Sequence, residues 1–149
     1  MTEAQALVDT SSTGAAELAD RYVALWNEAD PDRRREMIAG LWTEDGSHIL
    51  QPPEEIREVA ARPGVGMTAV LEARGYAEIE ARAASAYAEW VGSQELTFRR
   101  REDAERLHDV VKFHWEAIAR DGEPFAVGLS FLVLAEDGRI RRDYTFVVA

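Results

Sequence analysis

Residues 124–148 read PFAVGLSFLVLAEDGRIRRDYTFVV, two apolar runs parted by Glu136-Asp137-Gly138-Arg139. Asp-Gly tolerates the positive φ that tight hairpin turns demand, so the two runs predict an antiparallel hairpin. The same signal, Arg120-Asp121-Gly122-Glu123, joins the first run to LHDVVKFHWEAIA (107–119), and ELTFRR (95–100) comes before that. Four strands in succession make a meander. Upstream the period changes. RYVALWN carries Tyr22, Leu25 and Trp26 at helical spacing, in a helix from the Ser11-Ser12-Thr13 cluster to about Asn27. ADPDRRREMIAGLW is a second helix, with Asp30 as N-cap and Pro31 where a missing N–H costs nothing. YAEIEARAASAYAEWVG (76–92) is the longest, with Ile79, Ala83, Tyr87 and Trp90 along one side. Helices first and a meander afterwards specify α+β rather than alternating α/β.

The 149 residues suit one domain with a real core, and 46% apolar with 30% charged residues is a globular balance. Residues 1–12 are expected to form a flexible tail before a single domain over 13–149. The N-terminus shows no basic-then-apolar secretory pattern, and no apolar run is long enough to span a membrane. Cysteine is absent, which excludes disulfides, thiolate metal sites and a cysteine nucleophile and agrees with a cytoplasmic setting. A net charge of −11 repels phosphate backbones and anionic lipid, so neither nucleic acid nor membrane is expected as a partner. Three histidines without ligand spacing, no phosphate loop and no nucleophile elbow predict neither metal nor cofactor.

Asp143 is the oddity in the last strand, because aspartate is depleted from strand interiors. It is either a solvated acid paired with a nearby arginine or a carboxylate lining a pocket, its pKa raised by apolar walls. Register decides. A two-residue Asp121–Gly122 turn pairs Phe113 with Ser130 and Trp115 with Gly128. A two-residue Asp137–Gly138 turn then sets Asp143, Thr145 and Val147 on the Ser130 face. A three-residue turn would set Arg142, Tyr144 and Phe146 there instead. His108 and Asp109 adjoin at the start of a strand, where neighbours face opposite ways, which argues against a cooperating pair.

RYVALWN, LWTEDG (41–46), EARGYAEIEAR (72–82) and AEDGRIRRDYTF (135–146), in this order, resemble the nuclear transport factor 2-like superfamily, and within it the SnoaL-like small proteins. The resemblance implies a cone: a strongly curved, mostly antiparallel sheet wrapped against the helices, with an apolar cavity at its open end, often in a homodimer. The superfamily includes ketosteroid isomerases, polyketide cyclases, limonene epoxide hydrolase and non-catalytic modules, so fold does not settle function. Tyr22 matches the isomerases' helix tyrosine. Ser130 stands where their second oxyanion donor, an acid, belongs, and Leu50 or Gln51 where their base belongs. Asp143 resembles one aspartate of the epoxide hydrolase's Asp–Arg–Asp set, whose Arg-x-Asp pair falls near Phe113 and Trp115.

The candidate catalytic residues are therefore Asp143, His48 and Tyr22, with Trp26, Trp42, Phe113, Trp115 and Ser130 lining the site of a small apolar molecule. His48 reads either as a general base near neutral pH or as a hydrogen-bonded residue at the pocket rim. Residues 52–74 read as a flap over the mouth, hinged at Gly64 and Gly66. Two functions remain: a cofactor-independent cyclase, isomerase or hydrolase, or a ligand-binding or accessory module without chemistry.

Overall fold

The computed structural model describes residues 12–51, 71–93 and 95–149. Helix α1 (Ser12–Asn27) and helix α2 (Pro31–Leu41) lead into strand β1 (Trp42–Leu50). Asp30 caps α2 by accepting from the Asp32 backbone N–H at 3.0 Å. After β2 (Leu71–Arg74) and α3 (Gly75–Ala86), a π-helical turn covers Tyr87–Gly92. The meander follows: β3 (Thr97–Arg100), β4 (Glu105–Leu107), β5 (Val110–Ile118), β6 (Pro124–Leu134) and β7 (Ile140–Val147).

The strands form one curved, unclosed sheet in the order β2-β1-β7-β6-β5-β3, with β4 also on β5. All pairs are antiparallel except β1 with β7. This is the expected α+β cone. Tyr22 and Leu25 of α1, Ile38 and Leu41 of α2 and Ile79 of α3 pack on Trp42, Phe113, Leu132 and Ile140 of the sheet. No helix among the described residues is long and apolar enough to cross a membrane.

The register is the one that two-residue turns would give, reached by a different route. Both hairpins close over three residues, with Gly122 at φ +88° and Gly138 at φ +86°. Such loops shift the pairing by one. Each following strand then carries one extra residue, Phe125 between Pro124 and Ala126 and Arg141 between Ile140 and Arg142, and the parity returns. Phe113 pairs with Ser130, Trp115 with Gly128 and Ser130 with Thr145. The buried and exposed order of β7 records the bulge, since Arg141 and Arg142 are both exposed between buried Ile140 and Asp143.

Three expectations need correction. The segment 107–119 is not one strand: His108, at φ +53°, and Asp109 form a turn between β4 and β5. There His108 Nδ1 lies 3.1 Å from Asp109 Oδ1, since a turn does not impose strand alternation. The third helix changes to π geometry at Tyr87. Finally, residues 71–74 of the expected flap form β2, paired with Ser47–Leu50; residues 52–70 lie outside the described residues.

Candidate functional site

Strand alternation places Asp143 and Thr145 of β7 and Ser130 of β6 on the concave face, beneath Tyr22 of α1. Asp143 is 0% exposed. The Tyr22 hydroxyl donates to its Oδ2 at 2.6 Å, and Thr145 Oγ1 donates to its Oδ1 at 2.7 Å. With the Thr145 proton so committed, Ser130 donates to Thr145 Oγ1 at 2.9 Å, and Trp115 Nε1 donates to Ser130 Oγ at 3.1 Å. The donors all run toward one carboxyl group.

Burial raises Asp143 above the usual carboxylate range, while the Tyr22 and Thr145 hydrogen bonds and the charge of Arg82 hold it down; the result is about 7. Tyr22 is raised well above its ordinary value, first by burial and then by the neighbouring Asp143 charge. The acid therefore changes charge near neutrality and the phenol keeps its proton.

His48 on β1 sits between indoles, its ring 5.1 Å from that of Trp26 and 6.5 Å from that of Trp42. Arg82 of α3 lies with Nη1 3.0 Å from His48 Nδ1. A guanidinium only donates, so Nδ1 accepts and the ring proton resides on Nε2. That nitrogen faces Asp143 Oδ2 at 3.7 Å. Burial and then the Arg82 charge lower the His48 pKa to about 3, so this contact joins a neutral ring to the acid and is no ion pair. Arg82 has taken the lone pair a general base would use.

Tyr22, Thr145, His48 and Arg82 border a cavity of about 330 Å³ whose wall is otherwise apolar apart from Gln51. Tyr22, Trp26, His48, Thr145 and Trp115 line it, together with Leu96, Phe98, Trp90 and Phe125. Trp90 belongs to the π-helical turn, and its ring centre is 5.9 Å from that of Phe125, the bulged residue of β6. The indole of Trp115 has room because position 128 is glycine: a Cβ there would fall 2.0 Å from a ring carbon.

Of the residues proposed from sequence, Tyr22, His48, Trp26 and Trp115 line the cavity. Asp143 and Ser130 lie directly behind the wall, reached through Tyr22, Thr145 and Trp115. Trp42 and Phe113, both 0% exposed, are core residues instead. Both occur on strand positions facing inward, but the cone is filled by helices α1 and α2 at that depth. The sequence reading missed Arg82 and gave Thr145, which one register set on the Ser130 face, no role. Arg82 was findable, because it stands three residues after Ile79 on the inward stripe of α3.

With its α+β order and curved, unclosed sheet, the chain has the nuclear transport factor 2-like fold. Among solved structures it is similar to a SnoaL-like family protein from Agrobacterium tumefaciens described as a candidate isomerase. That match is 23% identical over 92% of this chain and 99% of the other, with a TM-score of 0.73. A SnoaL-like protein of unknown function from Burkholderia thailandensis is 16% identical over 91% and 94%, with a TM-score of 0.61. The epoxide hydrolase/cyclase-like enzyme SalBIII, of pyran-ring formation in salinomycin, is 18% identical over 91% and 92%, with a TM-score of 0.57. No family model and no curated protein matches the sequence. At these identities the likeness is one of fold.

Proposed function

We propose that the chain binds a small apolar molecule in the cone and acts on it by acid–base chemistry, as a cofactor-independent cyclase, isomerase or hydrolase. The observation that carries this reading is the buried Asp143–Tyr22 pair at the polar end of an apolar cavity, 2.6 Å apart. Such placement suits chemistry, because titratable groups with displaced pKa values concentrate where charge must move. Below about pH 7 the Asp143 carboxyl is protonated. Its O–H then donates to the Tyr22 oxygen, which frees the phenolic O–H for an acceptor oxygen on the ligand. Proton transfer runs from Tyr22 to the ligand as Asp143 reprotonates Tyr22, leaving a carboxylate. Thr145, with Ser130 and Trp115 behind it, stabilises that carboxylate. His48, neutral and fixed by Arg82, serves as a donor and wall rather than as the base.

The test is a thermal-shift screen of apolar carbonyl and epoxide compounds, followed by turnover assays on the hits. Asp143→Asn is expected to lower turnover by two to four orders of magnitude, about what general acid–base catalysis contributes, with binding retained. Unchanged turnover in Asp143→Asn and in Tyr22→Phe overturns the chemical reading.

One observation favours a second reading, a binder without chemistry: Asp143 has no surface on the cavity itself. On that reading the hits bind, none turns over, and Asp143→Asn changes only stability. A homodimer is part of the proposal, because exposed Tyr144 and Phe146 give the convex face of β7 an apolar surface suited to a second copy.

A further inference from the structure

Arg82 enters the cavity wall from α3 as a half-buried cation among apolar groups. Its Nη1 contacts His48 Nδ1 at 3.0 Å, the His48 carbonyl at 2.9 Å and the Leu71 carbonyl at 3.2 Å. All three acceptors are neutral. Of its five N–H donors, those on Nε and Nη2 have no acceptor among the described residues. Other arginines of this acidic chain meet carboxylates: Arg35 with Glu80, Arg99 with Glu116, Arg100 with Asp20 and Arg139 with Asp137. None lies within ion-pair distance of Arg82 among the described residues. Glu78, one turn earlier, places Oε1 on the Arg74 backbone N–H instead. Asp143 lies across the imidazole, on its Nε2 side.

Burial lowers the Arg82 pKa even though Asp143, Glu78 and Tyr22 act in the opposite sense. A cation partly withdrawn from water without a counter-charge is an expensive arrangement, and an anion arriving with the ligand offsets it. The unused Nε–Nη2 edge has the planar fork that takes a carboxylate through two parallel hydrogen bonds. The overall charge of −11 opposes anions at long range, yet surface charges are screened beyond about 8 Å at physiological salt. Contact with Arg82 is inside that distance.

On the reading that the cavity takes an apolar small molecule, we propose that Arg82 receives a carboxylate carried by that molecule, while its hydrocarbon body lies against Trp26, Phe98, Trp90 and Trp115. The ligand class is thus an apolar carboxylic acid. His48, held by the same guanidinium, ties the position of the acid to the Tyr22–Asp143 end.

Calorimetric titration at pH 7.5 with matched probes tests this: 4-phenylbutanoate against 4-phenylbutanamide, and 6-phenylhexanoate against 6-phenylhexanamide. Each acid is expected to bind the wild-type chain at least tenfold more tightly than its amide. Arg82→Gln is expected to bring each ratio within twofold, and Arg82→Lys to keep an intermediate preference. Amides that bind as well as the acids overturn the role of Arg82 and leave the cavity reading standing. An acid preference that survives in Arg82→Gln does the same. If no acid or amide binds below 10 mM, the cavity reading fails and this inference with it. Where Arg82→Gln does not fold, Arg82→Lys decides: an acid preference undiminished from wild type overturns the role of Arg82, and a reduced one supports it.

Discussion

His48 and Asp143 meet inside the cone at 3.7 Å, while His114 and Asp103 meet on the solvent side of β5 at 2.5 Å. The residue types are the same. Asp103 is 40% exposed; its partial burial pushes its pKa up, but side-chain and backbone hydrogen bonds from His114 outweigh this and hold it below the usual range. Asp143 is wholly buried, and its two hydroxyl donors do not outweigh the loss of water, so it rises to about 7. Exposure therefore decides whether such a pair is an anchored carboxylate or a neutral acid. The inner pair suits proton transfer, whereas the outer one fastens the β3–β4 connection to β5.

The largest expected difference comes from deleting each carboxyl in turn. Asp143→Ala leaves the Tyr22 and Thr145 hydroxyls buried around a void and is expected to cost about 3 kcal/mol. Asp103→Ala, whose partners turn to solvent, is expected to cost about 1 kcal/mol or less. Urea denaturation at pH 6 measures both. Equal losses would end the contrast.

A pH series sharpens it. Folded Asp143 keeps its proton up to about pH 7, against 3.8 ordinarily. Its contribution to stability is complete below pH 4 and is lost as the pH rises through 7. His48 has the opposite sense: its folded value of about 3 lies below 6.5, so its contribution is complete above pH 6.5 and is lost as the pH falls toward 3. In the wild-type chain the two slopes oppose each other between about pH 4 and 6.5. Relative to wild type, Asp143→Asn should lose stability on acidification across that range, and His48→Gln should gain it. Each difference is at most about 1.4 kcal/mol per pH unit. Denaturation midpoints at pH 4.5, 5.5 and 6.5 give the signs, and slopes of one sign for both variants contradict the assignment.

The helices and the meander were legible in the sequence because they follow from period, turn chemistry and caps, whereas the cone came from the family resemblance. Parity put Phe113, Trp115 and Ser130 on one face, given a two-residue Asp121–Gly122 turn, and left Asp143 there or opposite according to the length of the last turn. What parity could not supply was depth: Trp42 and Phe113 face inward as Trp115 does, yet α1 and α2 cover them. The hairpins show a second limit: the first loop is one residue longer than the two-residue reading, the last takes the three-residue option, and in each a bulge undid the shift. Bulges at Phe125 and Arg141 leave no local turn signal. The state of His48 was also hidden, because it is set by Arg82, a residue 34 positions away on another element.

Ionic strength gives the smallest effect, and it separates the pairs by a route independent of protonation. The Asp103 carboxylate draws on His114 and on Arg101 through contacts that water and ions reach. At 1 M salt the screening length is about 3 Å, comparable with those contacts, so most of the charge coupling should vanish. Partly exposed pairs of this kind are worth about 0.2–1 kcal/mol, and the cost of Asp103→Asn should shrink by a few tenths between 50 mM and 1 M salt. Asp143 has no ions within reach, and at pH 6 it carries little charge to screen. Asp143→Asn should therefore cost the same at both salt concentrations. A salt-sensitive Asp143→Asn would mean that solvent enters the inner pair, and the neutral acid behind Tyr22 would have lost its physical basis.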